Sequence, residues 1–368
     1  MTIKIASSQL ETVDEAVHEL VGTLGHEPIK LLVFFASTKY DPQEISAKMH
    51  SSFPAATVFG CSSAGEIISG RMLKGSLVAM AFDEESMPDV KVEVVQNLRR
   101  KVDVKEAFLS FGDHFGEAVD EMKPSQYFGI VLQDSMSERE ERVMDAIGDK
   151  TNVIFIGGSA ADDLHFRATH VYAKGKSYAD AAVLALLKPA GPFDLVKTQS
   201  VREMGPVLVV TKANEKQREI IEFNNKPASK AYAEALGVSV NELAACFPSH
   251  PLGLVIDGEP YIRSPKHISG GSVFFHCSSV VGMPLSLLEL TNLIDDTKAT
   301  LQRSIDKLGG ASGVIVFNCA HRALELEHQN LTGKYGEVFA DVPTIGFNSY
   351  GEQYIGHINQ TATMVVLA

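Results

Sequence analysis

Several signatures are missing from this 368-residue chain, and each absence removes a class of function. No Cys-x-x-Cys pair occurs: Cys61, Cys246, Cys277 and Cys319 are widely spaced, which argues against a zinc knuckle or a disulfide framework and for reduced, buried thiols. Positive charge is short, with 33 Lys and Arg against 46 Asp and Glu and a net charge of −13. Such a surface cannot replace the counterions of a phosphate backbone, so no nucleic-acid partner is expected. No apolar run approaches the roughly 18 residues that span a bilayer. Ala181–Leu187 is among the longest and suits a strand, and Met1–Ala6 lacks the apolar core of a secretion signal, so a cytoplasmic protein with no membrane partner is expected. There is no low-complexity tract either; 45% hydrophobic and 21% charged residues make an ordinary globular balance.

What the chain does have is an internal repeat. Three β-branched, apolar runs end in a glycine, small residues, and an acid six positions on: Gly60 to Glu66, Gly157 to Asp163 and Gly346 to Glu352. The first and third share Ser63/Ser349 and Gly65/Gly351 at identical offsets. Each copy is preceded by a buried-strand pattern, Leu31–Phe35, Phe128–Leu132 and Gly313–Phe317, and then a helix. Asp41-Pro42-Gln43-Glu44 sets out an N-cap, a first-turn proline and a capping-box glutamate; Ser137 with Glu140 predicts a cap in the second copy. Ser76–Met80 and Ala362–Leu367 supply closing strands.

These patterns predict an α/β protein: two layered domains of mixed β-sheets with flanking helices, built from repeated strand-helix-strand-strand units. Thr12 and Glu15 open a leading helix with an apolar face of Val13, Ala16, Val17, Leu20 and Leu24, closed by Gly25. The pattern changes to a new β run, Val207–Val210, after Glu203-Met204-Gly205-Pro206, which puts a domain boundary near residue 200: 1–200 and 201–368. A long helix is expected through Leu290, Leu293, Ile294, Leu301, Ile305 and Leu308, ended by Gly309-Gly310.

Small residues at a strand end let a ligand approach the backbone, whose amides can hold an anion. Gly60, Ser62, Ser63, Gly65, Glu66, Ser349, Gly351 and Glu352 are therefore candidate ligand-binding residues, with Arg263 as a cation; the same glycines also serve plain tight turns. Ser62 and Ser63 do not form a nucleophile elbow, because Gly60-Cys61-Ser62-Ser63-Ala64 ends in alanine and leads to a strand, and nothing nearby lowers the pKa of Cys61. No enzymatic activity is expected. His276, in Val273–Cys277, His321, after Phe317–Ala320, and His357, between Gly356 and Ile358, stand on apolar backgrounds that suit haem iron as well as an ordinary core histidine. Without a Cys-x-x-Cys-His motif such a haem would be non-covalent.

The ordered set of segments Val58–Ile67, Ile156–Ala160, Glu222–Ala228 with Tyr232, Pro251–Leu254, Tyr261–Arg263 and Gly346–Glu352 with His357–Thr361 resembles the FIST family, FIST N domain followed by FIST C domain, over nearly the whole chain. The resemblance implies an intracellular small-ligand sensor that acts on a histidine kinase or a cyclic-di-nucleotide enzyme. No output domain is fused to the chain, and its ending resembles a branch of stand-alone nitric-oxide-sensing haemoproteins, often called NosP. Ala323 departs from that branch, where a second arginine is expected. Two readings follow. In one, heme b sits on His357 as proximal metal ligand, or on His276 or His321, and reports nitric oxide to a separate partner. In the other, a haem-free sensor binds a small metabolite such as an amino acid at the Gly/acid loops. A homo-oligomer is compatible with both.

Overall fold

The computed structural model describes residues 3–25, 27–198 and 200–368, so Met1 and Thr2 of the opening stretch lie outside the described residues. The chain forms two compact units: Met1–Lys197, Lys298–Gly356 and Ala362–Ala368 make the first, Thr198–Thr297 and His357–Thr361 the second. The boundary expected near residue 200 falls where the chain first leaves the first unit. Residues 298–356 and 362–368, which the sequence grouped with the second domain, return to the first.

The repeat is real and longer than the sequence pattern. Copy one runs β1 (Ile3–Ser8), α1 (Val13–Leu24), β2 (Leu31–Ser37), α2 (Pro42–Ser52), β3 (Thr57–Ser63), the hairpin β4 (Glu66–Ile68) and β5 (Arg71–Leu73), and β6 (Leu77–Phe82). Copy two repeats it as β7 (Asp89–Gln96), α3 (Lys105–Phe115), β8 (Phe128–Asp134), α4 (Glu140–Gly148), β9 (Phe155–Ala160), β10 (Val171–Ala173), β11 (Lys176–Tyr178) and β12 (Ala181–Lys188). Copy three opens with β13 (Phe193–Lys197) and is interrupted by the second unit. That unit contains β14 (Val201–Asn214), β15 (Glu219–Phe223), β16 (Lys226–Pro227), α5 (Ala228–Leu236), α6 (Val240–Cys246), β17 (Leu252–Ile256), β18 (Glu259–Arg263), β19 (Pro265–Ser269), β20 (Ser272–Phe275) and β21 (Pro284–Leu290). Copy three then resumes through α7 (Leu293–Leu308), β22 (Gly313–Cys319), α8 (Ala320–His328), α9 (Thr332–Glu337), β23 (Thr344–Ser349), β24 (Glu352–Tyr354), β25 (Gly356–Ile358) and β26 (Ala362–Leu367). Leu290 ends β21 and is not part of α7.

Each copy builds a sheet of one order, β1-β6-β2-β3, β7-β12-β8-β9 and β13-β26-β22-β23, with one parallel pair, β2/β3, β8/β9 or β22/β23. The hairpin of each copy then joins another copy's sheet: β4–β5 extends β23, β10–β11 extends β3, and β24 extends β9. The exchange closes a three-membered cycle. Alternation along the strands explains the packing. Leu31, Val33 and Phe35 face a core shared by all three sheets, with Ile130, Leu132, Ile315 and Phe317, while Leu32, Phe34 and Ala36 face α1 and α2. Strands covered on both faces read as unbroken apolar runs. Phe35 and Phe347 meet in the shared core at 4.6 Å between ring centroids.

The helices begin where the sequence places polar caps. Thr12 Oγ1 accepts from Glu15 N, and Val13, Ala16, Val17, Leu20 and Leu24 are buried as expected. Asp41 accepts from Gln43 N at 3.0 Å and Glu44 N at 2.8 Å. Replacing Asp41 with alanine removes both bonds and is expected to cost about 1 kcal/mol in denaturant unfolding, with an unchanged m-value. The cap expected from Ser137 and Glu140 does not form. Ser137 lies in a 3-10 turn with its hydroxyl donating to Asp134 O at 2.7 Å, and Glu138 adopts φ 52° before α4, which starts without a side-chain cap.

The second unit is an antiparallel sheet, β18-β17-β21-β14-β15-β20-β19, with β16 beside β15. Its core gathers Tyr232, Leu243, Phe223, Leu252, Phe275 and Leu287 between the sheet and α5 and α6. Among the described residues no helix is long and apolar enough to cross a membrane.

Candidate functional site

The three Gly/acid segments do come together, at the strand ends of the first unit. Their leading glycines are interior strand residues. A Cβ on Gly60, Gly157 or Gly346 would lie 1.9, 1.8 or 2.4 Å from the carbonyl oxygen of Phe34, Val131 or Val316, the residue paired with it on the parallel neighbour. Beyond the glycines the backbones bond in a cycle. Ala64 N donates to Asn348 O, Tyr350 N to Ser159 O, and Ala161 N to Ser62 O; in return Asn348 N donates to Gly65 O, Ser159 N to Gly351 O, and Ser62 N to His170 O. Six amides at these strand ends are thus engaged by carbonyls of a neighbouring copy.

His170 in that cycle exposes a misalignment. Glu66 lies opposite Phe347 and Glu352 opposite Gly158, and the equivalent pair in the remaining sheet is Val171 opposite Cys61. The counterpart of Glu66 and Glu352 is therefore Val171, and Asp163 belongs to an insertion, residues 162–169, found in the second copy alone. Asp162 organises this insertion by accepting from Phe166 N, Arg167 N, Ala168 N and, at 2.6 Å, Tyr350 OH. Burial pushes its carboxyl up, but those hydrogen bonds outweigh it and hold the pKa below the ordinary value.

The acids are equally engaged. Glu66 is fully buried and accepts from Ser63 Oγ, Ser76 N and Ser76 Oγ; desolvation outweighs these bonds and raises its pKa from 4.5 to about 7. Glu352 is also fully buried and accepts from Ser349 Oγ at 2.6 Å. Ser62 Oγ accepts from His170 N, and burial pushes the Cys61 thiol well up, leaving it protonated and inert. Gly65 adopts φ 105°, and a Cβ there would meet Asn348 Nδ2 at 2.8 Å.

His321 lies in the first turn of α8 in the first unit, where desolvation lowers its pKa. His276 and His357 belong to the second unit. His357 is 5% exposed, and a ring nitrogen lies within 4.8 Å of the Cys277 sulfur. The Cys277 thiol donates to Asn359 Oδ1. Gln360 Nε2 donates to Pro248 O at 2.9 Å.

Around this segment the second unit leaves polar atoms buried and unmatched. Arg263 Nη1 donates to Ser278 O at 2.6 Å, but among the described residues its Nε has no partner, and neither do Ser264 Oγ, Ser279 Oγ and Gln360 Oε1. Backbone bonds tie neighbouring residues together: Asn359 N donates to Ile262 O, and His276 N to Ser264 O. Ser264, Ser279 and Gln360 are 1%, 3% and 4% exposed, so bulk water does not satisfy them. Unmatched buried polar atoms each cost about 1–3 kcal/mol, which is why they are rare away from ligand and water sites. Arg263 was legible as a candidate, but Ser264, Ser279, Cys277 and Gln360 are ordinary polar residues in sequence.

Comparison with known families matches the FIST N domain to residues 30–226 and the FIST C domain to residues 228–355. The chain belongs to the FIST family. FIST domains are associated with small-ligand sensing in signal transduction. The FIST N match ends in β16, inside the second unit, and the FIST C match runs on into copy three of the first. A protein of Methanocaldococcus jannaschii, titled "Uncharacterized protein MJ1623", is 26% identical over 194 residues. That similarity covers 51% of this FIST chain and 36% of the relative.

Proposed function

We propose that this FIST protein senses a small polar metabolite, such as an amino acid, bound in the second unit beside His357–Thr361. The observation that carries the reading is the set of unmatched atoms on Arg263, Ser264, Ser279 and Gln360. A guanidinium N–H and two hydroxyls suit a carboxylate, and an amide oxygen suits an ammonium group. The Gly/acid loops, six of whose amides are engaged by carbonyls of neighbouring copies, are a poorer place for the ligand. The bound chain would act by contact on a separate histidine kinase or cyclic-di-nucleotide enzyme, shifting a population only through different affinities for two states.

A second reading, nitric-oxide sensing through non-covalent heme b, rests on the buried His357 imidazole beside Cys277. The surrounding donors fit that group less well. A porphyrin needs broad apolar walls, whereas the buried atoms seeking partners here are hydroxyls, an amide oxygen and a guanidinium nitrogen.

One set of measurements decides. Calorimetric titration with the common amino acids is expected to find saturable binding, weakened about 10-fold or more by Arg263→Gln, the worth of one charged hydrogen bond. No binding by any of them, together with a Soret band that shifts with nitric oxide and disappears in His357→Ala, would transfer the function to the haem reading.

A further inference from the structure

The first unit carries its own unmatched buried amide, at the carboxyl ends of parallel strands. Gln133, next to last in β8, is fully buried, and neither its Nε2 nor its Oε1 has a partner among the described residues. Across the sheet it is paired with Ser159 on β9 and Ala182 on β12, both small side chains. Open α/β sheets take their ligands in the crevice outside the carboxyl ends of the strands.

The threefold repeat supplies an internal comparison. The positions equivalent to Gln133 are Ala36, paired with Ser62, and Asn318, paired with Asn348. Ala36 has no polar group to satisfy. Asn318 is fully buried like Gln133, but its amide is completed on both sides: Nδ2 donates to Asn348 Oδ1 at 2.9 Å, and Oδ1 accepts from Arg322 Nε at 3.1 Å and Tyr335 OH at 3.0 Å. Copy three thus fills this place with donors from α8 and α9. In copy two, among the described residues, no donor lies on the amide, and Ser159 Oγ accepts from Gln353 Nε2 at 3.0 Å.

We propose that Gln133 anchors a second small-molecule site, which takes an uncharged ligand presenting an N–H donor beside a carbonyl acceptor, the carboxamide and ureide class. A side-chain amide with both ends open pairs with that edge through two parallel hydrogen bonds, as Gln does with amide-like edges elsewhere. Charged ligands are disfavoured there. The adjacent acid, Asp134, is buried and accepts from Met136 N, Thr169 Oγ1 and Asp180 N, so an anion beside it would be repelled, while the Gln133 amide itself brings no charge to offset the desolvation of a cation.

The test follows the Gln133 side-chain NH2 signals in protein labelled with 15N-glutamine, titrated with acetamide and, separately, with acetate, which has the same shape without N–H donors. Saturable shifts with acetamide alone are expected, together with at least a 10-fold loss of acetamide affinity in Gln133→Leu. That variant removes two unmatched buried atoms and is expected to melt at or above the wild-type temperature, so loss of binding is not loss of fold. Unshifted Gln133 signals, equal responses to acetate, or undiminished binding by Gln133→Leu would each overturn the proposal and leave an ordered water as the occupant. The Arg263→Gln variant, altered in the other unit, should bind acetamide like wild type.

Discussion

A chain carrying Gly157→Ala is expected to lose more than about 3 kcal/mol of stability, a large share of the about 5–15 kcal/mol that holds a folded domain together. The new methyl carbon would sit 1.8 Å from Val131 O and 2.8 Å from its carbonyl carbon. Neither atom can swing aside, because both are backbone of the strand paired with Gly157 in a sheet buried on both faces. The parallel pair must separate, and β9 also carries the amide and carbonyl of Ser159 that bond to copy three. Gly60→Ala should be nearly as severe and Gly346→Ala milder, in the order of the distances 1.9 and 2.4 Å. Gly22→Ala is the control: nothing lies within 4 Å of its added carbon inside α1, and a gain of about 0.5–1 kcal/mol is expected. Chemical denaturation of the four variants tests the series, and a Gly157→Ala protein as stable as Gly22→Ala would refute it.

Stability is also expected to fall by about 3 kcal/mol between pH 4.5 and pH 7 through Glu66 alone, the worth of a pKa displaced from 4.5 to about 7. The sign follows from which state holds the proton. In that window the folded protein keeps the Glu66 proton while the unfolded chain has released it, so raising the pH favours unfolding. The contribution is complete below pH 4.5, declines through the window and is constant above pH 7. When the carboxyl is protonated, the Ser63 hydroxyl that donates to it can turn and accept. Glu66→Gln removes the titration, so the wild-type stability curve minus the variant curve should carry this slope. Parallel curves would show that Glu66 is ionised throughout.

Much of the fold could be read in advance, because it rests on periodicity and local chemistry. The buried face of α1, the Asp41 cap and the continuous apolar run of β2 are each determined within a dozen residues. The repeat itself was legible from glycine spacing, since those glycines answer a backbone contact that every copy makes. Its alignment in copy two was not, because an acid chances to fall six residues after Gly157 inside an insertion that no periodicity marks. The hairpin exchange was hidden for another reason: three-residue strands such as β4 and β10 carry too little pattern to name a partner. The candidate sites were least legible. Ser264, Ser279, Gln360 and Gln133 become unusual only when tertiary packing has removed every other partner from their reach.

The exchange of hairpins bears on how the molecule is made. Ser69, just past the end of β4, bonds to Thr344, 275 residues further along the chain. During synthesis the edge of β4–β5 must therefore stay open until the last tenth of the polypeptide has emerged, with Thr198–Thr297 of the second unit made in between. Contacts so distant in sequence form slowly, and an open strand edge invites foreign pairing in the meantime. The cycle that locks the finished protein thus sets the period in which the unfinished one most needs a chaperone.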